Sequence, residues 1–132
     1  MKVTVDTNVL VRAVVRDDEV QADIAAALLK DAETIAVSLP CLCEFVWVLR
    51  SVYGFGQDDI STAIETLVAA GNVAVDRAAV EAGLALLKAG GDFADGLIAY
   101  EGAWLGGDTF VSFDKKAASL IARQGGQARL LA

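Results

Sequence analysis

Apolar residues recur along the chain in short blocks whose spacing switches between that of a buried strand and that of a helix. Lys2 to Asp6 is a Val- and Thr-rich run that reads as a strand, and Val9, Leu10 and Ala13 behind it take helical spacing. A second helix is predicted from about Glu19 to Ala32, with the acidic group Asp17, Asp18 and Glu19 at its start and Ile24, Leu28 and Leu29 on its apolar side. Thr34 to Ser38 reads as a strand, and Pro40 suits the first turn of a helix that turns Leu42, Phe45, Val46 and Leu49 inward until Gly54 and Gly56 interrupt it. Asp58 and Asp59 open a helix to about Ala70. Asn72 to Val75 is a strand, and Asp76 to Ala89 a helix with Val80, Leu84 and Leu87 on one face. Phe93 to Leu105 is helical, Thr109 to Ser112 a strand, Lys115 to Arg123 helical and Ala128 to Leu131 a last strand. The pairs Gly90 Gly91, Gly106 Gly107 and Gly125 Gly126 each close a helical segment. Strands alternating with helices predict a parallel sheet covered by helices, a fold that places its sites at the carboxyl ends of the strands.

Length and composition narrow the chemistry. A chain of 132 residues, 55% of them hydrophobic, is expected to form one domain over 1–132. No uncharged apolar run approaches the roughly 20 residues of a membrane span. The opening, with Asp6 almost at once, lacks the zones of a secretion signal, so a cytoplasmic location without membrane attachment is expected. The absence of histidine excludes His-dependent triads, HExxH zinc sites and imidazole bases. Cys41 and Cys43 are too few for a four-cysteine zinc site and read as reduced core residues. Eleven Lys and Arg against 18 Asp and Glu leave a net charge of −7, which speaks against a broad, nonspecific grip on nucleic acid but not against a local site.

Acidic residues stand where a core is expected. Asp6 is the only charge between Lys2 and Arg12 and sits where a buried strand ends; capping the next helix is its alternative role. Glu44 is the single charge between Glu33 and Arg50, on neither period comfortably solvated, and a buried salt bridge is the alternative to a ligand role. Asp92 and Asp95 lie one turn apart at a helix start, with Asp92 the better cap, and Asp114 ends a strand as Asp6 does. Taken together, two acids at strand ends and two in helices that follow strands can meet at one edge of a parallel sheet, where they repel each other unless cations neutralise them. A site of Asp and Glu alone selects Mg2+ or Mn2+ over Zn2+. Without histidine, metal-activated water is the expected nucleophile, which suits phosphodiester hydrolysis. Thr7, Ser112 and Asn8 are candidates to orient water or a carboxylate, with ordinary strand-end and helix-start roles as the alternatives.

At Val5 Asp6 Thr7 Asn8 Val9 Leu10, at Glu44, at Asp92 Phe93 Ala94 Asp95 and at Ser112 Phe113 Asp114, in this order and spacing, the sequence resembles the PIN-domain ribonucleases, most closely the VapC-type toxins of toxin-antitoxin pairs. The resemblance implies a three-layer α/β/α domain with a mainly parallel central sheet. It implies Mg2+, with Mn2+ as substitute, bound by Asp6, Glu44 and Asp95, with Asp114 as the fourth acid and Asp92 accessory. Ser112 stands where the family usually has Thr, which keeps the hydroxyl. The resemblance further implies a homodimer, inhibition by a cognate antitoxin, and cleavage of structured RNA such as transfer or ribosomal RNA.

RNA contacts are less marked in the sequence. Among Arg12, Arg16, Arg50, Lys115, Lys116 and Arg123, the lysines directly after Asp114 are best placed to meet a phosphate, and Arg12 is a further candidate. Trp47, Tyr53, Tyr100 and Trp104 are able to stack on bases, with core or dimer packing as the alternative. Val46, Trp47 and Leu49, or the helix at Ile60 to Leu67, are candidate dimer surfaces. Three other readings compete. A receiver-like signalling module needs paired acids at its first strand and leaves Glu44 without a role. An aspartyl phosphatase needs an acid where Asn8 stands. A catalytically silent PIN-like interaction domain has no reason to collect mutually repelling carboxylates.

Overall fold

The computed structural model describes residues 1–132 and falls into two units, Met1–Asp76 and Arg77–Ala132. The first holds β1 (Lys2–Thr4), α1 (Thr7–Val15), α2 (Glu19–Asp31), β2 (Thr34–Ala36), α3 (Leu39–Ser51), α4 (Gln57–Ala69) and β3 (Val73–Ala74). Its sheet has the order β1-β2-β3, all parallel, with Val3 beside Ile35 and Ile35 beside Val73. Parallel neighbours need long crossovers, and a pair of helices supplies each one. Side-chain caps start three of the helices: Asp6 for α1, Asp18 for α2 and Ser38 for α3, with Pro40 in the first turn of α3, where its missing N–H is not needed. Asn72 ties β3 to the end of α2, donating from Nδ2 to the carbonyls of Leu29 (2.9 Å) and Ala32 (3.0 Å).

The core of this unit is built from Leu10, Ile35, Leu42, Phe45, Val46, Leu49, Ile60 and Ile64, all nearly sealed from solvent. Each such side chain contributes about 1.5–3 kcal/mol through burial. Two sequence expectations are corrected here. Val46, Leu49, Ile60 and Ile64 are core residues, so of the proposed dimer positions on α3 only Trp47 is substantially exposed (56%). Ile24, expected on the apolar side of α2, is 66% exposed, because α2 packs through the small residues Ala22 and Ala25 instead.

The second unit holds α5 (Arg77–Lys88), α6 (Phe93–Trp104), β4 (Phe110–Ser112), α7 (Lys115–Arg123) and β5 (Ala128–Leu130). Strands β4 and β5 pair in parallel, Phe110 beside Ala128 and Ser112 beside Leu130. Helices α5 and α6 touch where both lack a side chain: a Cβ on Gly96 would lie 2.5 Å from the carbonyl oxygen of Ala82 and 2.8 Å from Cα of Gly83. Phe93 and Leu97 fill the space around this crossing, and Leu86 packs with Leu120 and Ile121. Gly90, Gly106 and Gly125 adopt positive φ just beyond helix ends, the conformation that glycine takes without a steric penalty. No helix is long and apolar enough to cross a membrane.

Candidate functional site

In the first unit, Asp6 follows β1 and begins α1. Its Oδ1 accepts a hydrogen bond from the Thr7 backbone N–H at 2.7 Å, while its second oxygen has no partner in the protein. Thr7 is buried, and its hydroxyl points inward, donating to the Sγ of Cys41 at 3.8 Å across to α3. Cys41 is thus the joint between the starts of α1 and α3. Burial pushes its thiol pKa up, the Thr7 hydrogen bond opposes this, and the negative charges of Asp6 and Glu44 push it up further. Both carboxylates therefore bear on one buried thiol, which stays protonated and is a poor nucleophile and metal ligand. Neither cysteine is in a disulfide; Cys41 is buried and Cys43 half-buried.

Glu44 lies one turn after Cys41 and is exposed, correcting the expectation that it lacks a solvated face. Around α3, at about 100° per residue, it stands about 60° outside the buried stripe that begins at Cys41. It has no salt bridge, which removes the buried ion pair as its explanation.

The acids of the second unit are gathered by two helix starts. Asp92 caps α6, accepting from the Ala94 N–H at 3.0 Å, and Asp95 lies half-buried in the first turn. Burial raises the pKa of Asp95, and the charges of Asp92 and Asp114 raise it further. Asp114 caps α7 with a single oxygen, Oδ1, which accepts from Lys116 N (2.9 Å) and Ala117 N (3.1 Å). Ser112 Oγ in turn accepts from the Asp114 backbone N–H at 2.9 Å, so its hydroxyl steadies the backbone that carries this acid. Capping and ligation do not compete at Asp6 or Asp114, since the cap uses one oxygen and leaves the other.

The salt bridges Arg12–Asp17, Arg16–Glu19 and Arg16–Asp23 lie elsewhere. None of Asp6, Glu44, Asp95 and Asp114 is paired with a Lys or Arg. Within either unit no three Asp, Glu, Cys or His side chains are close enough to hold a metal ion by themselves.

Compared with known protein families, residues 3–122 match the PIN domain. The chain belongs to the PIN domain family. The match spans both units and nearly the whole chain, and the α/β architecture, with seven helices and only parallel strands, is the one that a three-layer α/β/α PIN domain requires. No curated protein matches the sequence. PIN domains are commonly nucleases that use divalent metals such as Mg2+. The acids of this PIN domain suit such an ion in kind: they offer only carboxylate oxygens, and in Asp95 a half-buried carboxylate faces like charges without a cation.

Three features of this PIN domain lie beyond sequence reasoning. The Thr7–Cys41 contact joins residues 34 apart, and the Gly83–Gly96 crossing joins two glycines in different helices. Arg12 donates to Asp17 (2.6 Å) and reaches the Tyr53 hydroxyl (3.4 Å), which itself donates to Asp17 (3.0 Å). Of the predicted RNA contacts, Lys115 and Lys116 are exposed and unpaired in the first turn of α7, while Arg12 is half-buried in this network.

Proposed function

We propose that this PIN domain, spanning 1–132, is a Mg2+-dependent endoribonuclease of the VapC toxin type, acting in the cytoplasm under the control of a cognate antitoxin. The observation that carries the reading is Asp95: it is half-buried beside the charges of Asp92 and Asp114 and makes no salt bridge of its own. An arrangement of this kind lowers stability on its own and is relieved by a divalent cation.

In this reading Asp6, Glu44, Asp95 and Asp114 hold the ion, Mg2+ or Mn2+, which when bound supplies Lewis acidity toward water and the phosphodiester. The caps at Asp6 and Asp114 fix each carboxylate while leaving one oxygen available. The Thr7–Cys41 contact holds the start of α1 against α3, and Ser112 holds Asp114. Lys115 and Lys116 meet the RNA phosphates. Both lysines are exposed and unpaired in the first turn of α7 directly after Asp114, which puts two cations beside the acid for an anionic ligand to meet.

Antitoxin binding is supported by an apolar groove of about 390 Å3 in the first unit, bordered by Leu10, Val14, Phe45, Leu67 and Val73, which suits the apolar face of a partner helix. A homodimer is part of the same proposal. The test is incubation of purified, antitoxin-free protein with end-labelled total RNA and single-stranded DNA in Mg2+, Mn2+ or EDTA. The proposal expects metal-dependent cutting of RNA at few positions. A folded protein that cuts neither substrate with any metal, while still capturing its partner, is instead the silent interaction domain.

A further inference from the structure

Helices α1 and α2 enclose a second cleft, of about 480 Å3, that the acids and the apolar groove do not use. Asn8, Val9 and Arg12 line it from α1, and Gln21, Ile24 and Leu28 from α2. Its size falls within the range of small-ligand sites.

Two features of its chemistry narrow the occupant. The side-chain amides of Asn8 and Gln21 are exposed and make no hydrogen bond within the protein, so each offers a donor and an acceptor together. Ile24 gives the wall an exposed aliphatic surface, extended by Val20 one turn earlier, which is 70% exposed. The charges nearby are already spent. Arg12 is bound to Asp17 and Tyr53, and Arg16 to Glu19 and Asp23, so no unpaired cation remains there for a phosphate. A neutral, flat group rich in donors and acceptors fits these walls, whereas a phosphate or an acidic peptide does not.

Asn8 also stands only two residues beyond Asp6, at the start of the same helix. We infer that the α1–α2 cleft is a base-reading subsite for an unpaired RNA nucleotide flanking the cut, with Asn8 and Gln21 hydrogen-bonding the base edge and Ile24 packing on its face. Carboxamides pair with base edges in this way, and unstacked bases of single-stranded RNA are the form in which such edges are presented. The Arg12–Asp17–Tyr53 network holds the α1–α2 connection against the end of α3 and thereby sets the width of the cleft. This inference rests on the nuclease reading and gives the site its sequence preference.

The experiment is cleavage of a randomised single-stranded RNA pool in Mg2+, with the fragment ends sequenced, for the wild type, Asn8→Ala and Gln21→Ala. Both variants change exposed side chains and are expected to fold normally, which thermal melting checks. The expected result is a base preference at one position beside the cut in the wild type, weakened about ten-fold or more in each variant, while cutting of non-preferred sequences persists in Gln21→Ala. An unchanged preference overturns the subsite and leaves the nuclease standing. An equal loss on every sequence in Gln21→Ala also overturns it, since Gln21 then grips the strand without reading it. No cutting by the wild type overturns the nuclease reading and the subsite with it.

Discussion

The crossing of α5 and α6 makes the same substitution act with opposite sign at two positions of one helix. At Gly96 the new methyl would sit 2.5 Å from the Ala82 carbonyl oxygen and 2.8 Å from Cα of Gly83, both backbone atoms that no rotamer change can move. Overpacking of this kind costs about 1–3 kcal/mol, against which the better helix propensity of alanine returns about 1 kcal/mol. At Gly102, also within α6, a Cβ meets nothing within 4 Å, so the propensity gain stands alone at about 0.5–1 kcal/mol. Gly96→Ala is therefore expected to lower stability and Gly102→Ala to raise it, with about 2 kcal/mol between them. Urea denaturation of both variants measures the gap, and a melting curve should show it as several degrees. A Gly96→Ala protein as stable as the Gly102→Ala protein refutes the close crossing. Since Gly96 follows Asp95 directly, the same variant should also lose RNA cleavage.

Two other predictions concern charge and capping. Asp95 binds its proton more tightly folded than unfolded, so its contribution to stability declines as pH rises from the ordinary carboxylate value of 3.8 through its raised folded value; denaturation of metal-free wild type and Asp95→Asn across that window should show the two converging toward low pH, and parallel pH profiles would contradict it. Ser38→Ala removes the oxygen that accepts from the Cys41 N–H at 3.3 Å and should cost about 0.5–2 kcal/mol of stability, read by the urea midpoint.

Much of the fold is legible in the sequence because its punctuation is local. Asp6, Asp92 and Asp114 announce helix starts, Pro40 lies in a first turn, and Gly90, Gly106 and Gly125 mark helix ends, each through chemistry confined to a few neighbouring residues. What sequence reading missed depends on direction or on distance along the chain. Glu44 is isolated among apolar residues in the linear order, yet the helical turn carries it out to solvent beside the stripe of Cys41, Phe45 and Leu49. Ile24 fits an apolar period, yet α2 docks through alanines, whose small size no hydrophobic count rewards. The Cys41 link beneath Asp6 and Glu44 arises only when separate helices are brought together.

The central claim is that Asp95 serves a cation and not the fold, and Asp95→Asn tests it most directly. The neutral, equally sized side chain removes the repulsion from Asp92 and Asp114 and the cost of burying a charge. The account predicts a metal-free protein that melts at or above the wild-type temperature, gains little from Mg2+ and no longer cuts RNA. An Asp95→Asn protein that cuts RNA normally, or one that melts well below the wild type, would contradict it.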